Sequence, residues 1–75
     1  MPEIERFGSF KLLMFFQDEN LPHVHIKGSD FVAKLRISNG DIMAGQAPNK
    51  VLKQARRWVE ENRVQLSAMW DEFQR

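Results

Sequence analysis

The chain has 75 residues, no cysteine, and 11 Lys and Arg against 10 Asp and Glu, for a formal charge of +1. That length fits a single domain, residues 1–75, burying only about 60% of its unfolded surface, and the lack of cysteine excludes disulfides and thiolate metal sites. The longest apolar run, Leu12 to Phe16, is far short of the roughly 18 residues of a membrane span, and Met1-Pro2-Glu3-Ile4-Glu5 lacks the regions of a leader, so a cytoplasmic protein with no membrane association is expected.

In chain order, Phe10 to Phe16 is an apolar run with one Lys11, bounded by Gly8-Ser9 and by Gln17-Asp18-Glu19-Asn20, which predicts a strand with apolar groups on both faces. His23 to Lys27 alternates, Val24 and Ile26 on one side and His23, His25 and Lys27 on the other. Gly28-Ser29 suits the centre of a type II′ turn, which would set Ile26 against Phe31, Val24 against Ala33 and His23 against Lys34. Asn39-Gly40 suits a type I′ turn, setting Ile37 against Ile42, Leu35 against Ala44 and Arg36 against Met43. Both turns put Phe31, Ala33, Leu35, Ile37, Ile42 and Ala44 on the face of Val24 and Ile26, which makes an antiparallel meander self-consistent.

From Pro48 or an Asn49 cap to about Phe73 the period becomes helical. Val51, Leu52, Ala55, Trp58, Val59, Leu66, Met69, Trp70 and Phe73 fall within an arc of roughly 120°, interrupted by Asn62, which needs a hydrogen-bond partner if buried. The expected fold is therefore α+β: a three- to four-stranded antiparallel β-meander with one long C-terminal α-helix packed on one face. Its expected core is Leu12, Met14, Val24, Ile26, Ala33, Leu35, Ile37, Ile42, Leu52, Ala55, Trp58 and Val59. A straight helix of about 25 residues would be about 37 Å long, whereas strands of six or seven residues span about 20 Å. Either the helix breaks near Glu61-Asn62 and folds back, or Leu66, Met69, Trp70 and Phe73 overhang as an interface for a second copy or a small protein partner. Lys50, Lys53, Arg56 and Arg57 crowd the helix start, where the macrodipole disfavours cations; pairing of Arg56 with Glu60 and of Arg57 with Glu61 accounts for part of this.

Two candidate sites use the same histidines. The sheet face away from the helix carries His23, His25, Lys27, Lys34, Arg36 and Lys11, a cationic surface for nucleic acid or another anion, with Phe15 available for stacking. Alternatively, His23 and His25 with Asp18 or Glu19 supply two imidazoles and a carboxylate, a set suited to divalent zinc or nickel, or to acid–base work. No nucleophile with a base and no Gly-rich phosphate loop is present, so no catalytic residue and no resident cofactor is expected apart from that metal alternative.

Met1-Pro2-Glu3-Ile4 with Phe7-Gly8, the strand ending near Phe15-Phe16, Asp18 before Pro22-His23-Val24-His25-Ile26, then Gly45, Pro48, Trp58, Arg63, Leu66 and Trp70 together resemble the small bacterial family catalogued as domain of unknown function forty-one sixty. The resemblance spans nearly the whole chain and is sharpest at Pro-His-x-His. Such proteins usually carry an Asp-His pair and a double proline before it. Here Glu19 stands at the expected histidine and Leu21 at the first proline, so a three-histidine ligand set would be one short. The resemblance implies no established activity. It implies a bacterial, cytoplasmic protein, often encoded beside another small domain in a toxin–antitoxin-like context, and so a protein partner and regulation of nucleic acid rather than metabolism. The function expected is a small non-enzymatic interaction module.

Overall fold

The structure, a computed structural model, describes residues 3–14 and 21–73, Phe73 by its backbone alone. Five strands and two helices follow in order: β1 (Glu3–Arg6), β2 (Phe10–Leu13), β3 (His23–Gly28), β4 (Val32–Arg36), β5 (Ile42–Gln46), α1 (Asn49–Glu61) and α2 (Arg63–Phe73). The strands form one antiparallel sheet in the order β1-β2-β3-β4-β5. This is the expected α+β meander with two corrections: five strands rather than three or four, and two helices rather than one.

The added strand is β1, a short edge of mostly charged residues whose pattern carries little hydrophobic signal. Charge on an edge strand discourages further pairing. Arg6 Nη2 donates to Glu3 Oε1 at 2.9 Å, and this hydrogen bond holds the Glu3 carboxyl below its ordinary value. Phe7, at the hairpin, stacks on Phe10 at 4.5 Å between centroids and meets Trp58 edge-on at 6.4 Å. It thereby ties the hairpin to α1.

The β3–β4 register differs from the expected one by two residues. Val24 faces Leu35, Ile26 faces Ala33 and His23 faces Arg36; Gly28 N–H donates to Phe31 O at 3.0 Å, so Ser29 and Asp30 form the tip. The reason is the Phe31 ring, which lies where a Cβ on Gly28 would be. A slip of two preserves parity, so the face assignments of β3 and β4 are unchanged.

At the β4–β5 turn the correction reaches the faces. Gly40 N–H donates to Arg36 O at 2.9 Å and Arg36 N–H to Asp41 O at 2.8 Å, and Gly40, at φ 75°, has the positive φ that a type I′ turn would also require of Asn39. Leu35 then pairs with Ile42 while Lys34 pairs with Ala44, so Met43 is the extra residue of a bulge. Gly45 follows at φ 79°. Ala44 consequently lies exposed opposite Lys34, and Ile42 is 38% exposed, neither belonging to the core as expected.

The helix starts at Asn49 with Pro48, not Asn49, in the capping position. It breaks at Asn62, whose Nδ2 donates to Trp58 O at 2.8 Å and whose backbone N–H reaches Trp58 O and Val59 O. Its own carbonyl accepts from Leu66 N at 2.9 Å, so the residue that interrupts the apolar stripe closes one helix and opens the next. With the helix broken at Asn62, residues of both halves of the stripe reach the chain's own core. Leu66 and Trp70 join Phe10, Leu12, Met14, Val24, Ile26, Ala33, Leu35, Ile37, Val51, Leu52, Ala55 and Val59 in one buried cluster, with Trp58 and Met69 half-buried against it. Among the described residues no helix is long and apolar enough to cross a membrane.

Two arginines pin the helices to the β4–β5 turn: Arg56 Nε donates to Gly40 O and Arg63 Nε to Ile37 O, each at 2.8 Å. Arg63→Ala should cost about 1–2 kcal/mol in urea denaturation, because it leaves the Ile37 carbonyl without its charged donor. An unchanged midpoint would mean that water replaces the guanidinium at no cost.

Candidate functional site

Strand pairing assembles the site. On the face away from α1, Lys11 lies opposite Lys27, His25 opposite Lys34 and His23 opposite Arg36. These pairings bring together all six residues of the expected anion surface. Like charges directly opposite in a sheet are destabilising, and Lys11 with Lys27 is such a pair. The carboxylate that approaches them among the described residues is Glu3, 3.9 Å from Lys11 Nζ and already bonded to Arg6. Arg36 adds a further demand for negative charge. Its Nε is buried and meets no hydrogen-bond acceptor among the described residues, a state that costs about 1–3 kcal/mol until an acceptor arrives.

The two histidines differ in exposure although they share a face. His25 is half-buried, whereas His23 is fully buried, its ring 5.2 Å from that of Trp70. His23 occupies the first position of β3, and there Trp70 of α2 lies against it. Its Nδ1 lies 2.7 Å from Leu21 O; a carbonyl only accepts, so Nδ1 carries the proton and, in the neutral ring, Nε2 has the lone pair. That Nε2 lies 3.2 Å from Nε2 of His25, the ring centroids being 4.9 Å apart.

Asp18 and Glu19, the expected carboxylates of a metal site, lie outside the described residues, as does Phe15. Among the described residues no group of three or more His, Cys, Asp or Glu converges on one point. The expected interface residues are divided: Leu66 and Trp70 are 1% and 6% exposed within the chain's own core, Met69 is half-buried against it, and the Phe73 side chain is not described. Leu66 and Trp70 therefore do not overhang. A concavity of about 540 Å³ is an open groove at the opposite end of the sheet, lined by Asp30, Phe31, Val32, Gln46, Ala47 and Pro48, and holds none of the expected site residues. Trp70 as a cover for His23, and Leu21 O as the partner of its Nδ1, were not anticipated. The Asn62 interruption was the available signal for the first, because it marks where the helix turns back; the second rests on a backbone conformation that has no sequence signature.

A family model described as a domain of unknown function (DUF4160) matches residues 9–71. No curated protein and no solved structure matches.

Proposed function

We propose, for a chain that belongs to the DUF4160 family of domains of unknown function, a role as a small cytoplasmic interaction module that binds nucleic acid through its phosphates at the exposed and half-buried basic residues Lys11, Lys27 and Lys34 of the sheet face away from α1. The observation that carries this reading is the gathering of basic side chains by strand pairing, Lys11 opposite Lys27, Lys34 opposite His25 and Arg36 opposite His23. The Lys11–Lys27 pair weakens a free sheet, and a polyanion laid across the strands relieves it. The buried Arg36 Nε supports the same reading, since phosphate oxygen is an acceptor suited to guanidinium. Contacts of this type position a nucleic acid without reading its bases, so little sequence preference is expected.

Fluorescence anisotropy of labelled single- and double-stranded oligonucleotides over a salt series tests it. The wild-type chain should bind with a log–log salt slope that becomes shallower by about 0.7–0.9 for each phosphate contact removed by Lys27→Gln or Lys34→Gln. The free Lys27→Gln protein should be no less stable than wild type, and is expected to gain a few tenths of a kcal/mol, because it relieves the Lys11–Lys27 pair. Absence of salt-dependent binding to any oligonucleotide would end the proposal.

A second reading is a protein partner, a second copy included, meeting α2. It is favoured by Val64, a large apolar side chain 85% exposed on α2. Solution mass over a concentration series, with Val64→Glu as the comparison, separates a dimer on this surface from a monomer.

A further inference from the structure

We propose that His23 and His25 chelate a divalent transition metal ion, zinc or nickel, through their Nε2 atoms. Three features support the site. Two imidazole nitrogens at about 2.0–2.1 Å from one tetrahedral ion stand about 3.3 Å apart, and the two Nε2 atoms here are 3.2 Å apart. The other nitrogen of His23 is held by Leu21 O at 2.7 Å, the backbone-carbonyl bond that orients a ligating imidazole and leaves its Nε2 lone pair toward the metal. The His23 ring is fully buried and backed by Trp70, so a ligand that costs side-chain entropy elsewhere is already immobilised here.

Without metal, the short Nε2–Nε2 contact is a hydrogen bond from His25 to His23. Chelation replaces it. The proton that leaves His25 Nε2 is balanced by one gained at His25 Nδ1, so the ring stays neutral and both Nε2 lone pairs then point at the ion. Lys34 and Arg36, opposite His25 and His23, oppose a dication. That favours an ion held by covalent preference for nitrogen over the hard cations calcium and magnesium. Water, or an anion that Arg36 also attracts, would complete the coordination. Metal binding in this scheme is a property of the free protein and does not depend on nucleic acid.

Trp70 provides the readout. The sequence has two tryptophans, Trp58 and Trp70, so Trp58→Phe leaves the indole that touches His23 as the sole emitter. Nickel, which quenches a neighbouring indole, should reduce its emission saturably at one equivalent. The loss should be reversed by a chelator and competed by zinc, which does not quench. His25→Ala in the same background should raise the nickel midpoint by about 10–100-fold or more, with far-UV circular dichroism confirming the fold. A quench that grows linearly without saturating, or one unchanged in His25→Ala, would overturn the site. If His25→Ala does not fold, the ring nitrogens of the wild-type chain decide: zinc should shift both Nε2 resonances while His23 Nδ1–H persists, and no shift would refute chelation.

Discussion

Trp70→Ala is expected to bring the protein close to its unfolding limit. Trp70 is 6% exposed and sits in the cluster that joins α2 to the sheet, and truncating a buried tryptophan typically costs about 3–5 kcal/mol. A domain of this size has about 4–11 kcal/mol in total, so the substitution removes a large share of it and sharply lowers the urea midpoint. The loss should be felt locally as well, because the indole covers His23. Hydrogen exchange should show the His23 end of β3 opening before the Gly28 end. Trp70→Phe, which keeps a ring against His23, should recover much of the loss. A Trp70→Ala protein of wild-type stability but altered solution mass would instead place the residue at an interface between copies.

The second large effect is expected at Gly45. Gly40 and Gly45 both hold positive φ, 75° and 79°, and an L residue in that region pays roughly 1–2 kcal/mol. Their surroundings differ. A Cβ on Gly40 would meet Arg56 Cγ at 3.4 Å, ordinary contact with a flexible chain, whereas one on Gly45 would run into the Val32 carbonyl oxygen and the Ala33 backbone across the ladder. Gly40→Ala should therefore cost only the conformational term. Gly45→Ala should cost about 2–4 kcal/mol, since the β4–β5 pairing must open around the bulge to admit it. Denaturation curves of the two variants, measured side by side, check this. Equal losses would mean that β5 shifts freely and that the bulge is not a fixed feature.

Much of the architecture was legible in the chain because alternation and helical period report burial directly. The inward set Leu12, Met14, Val24, Ile26, Ala33, Leu35 and Ile37 could be read from period two, and Leu52, Ala55 and Val59 from the helical stripe; all are buried. The β3–β4 register was misjudged without harm, since a slip of two residues leaves every side chain on its own face. On β5 the error mattered, because a bulge changes parity: Met43 takes no partner and Ala44 turns away from the core. Glycine at position 45 was visible, but what makes it necessary is the Val32 carbonyl on another strand.

The candidate site divides in the same way. Which residues share the cationic face follows from the sequence alone, through the two-residue period of a strand, and so does the closeness of His23 and His25. That Lys11 meets Lys27, that His25 meets Lys34 and that His23 meets Arg36 is decided by register, a property of two strands at once. The burial of His23 and the fate of Leu66 and Trp70 were decided by the turn at Asn62. The apolar stripe stated that these side chains must be covered, and a helix cannot state by whom. They are covered within the chain, where the helix breaks at Asn62, whose side chain takes the Trp58 carbonyl, and where α2 places Leu66 and Trp70 in the core. Local periodicity thus determined which surfaces are apolar or charged, while the pairing of those surfaces, being a long-range balance of length, packing and hydrogen bonding, belonged to the tertiary structure.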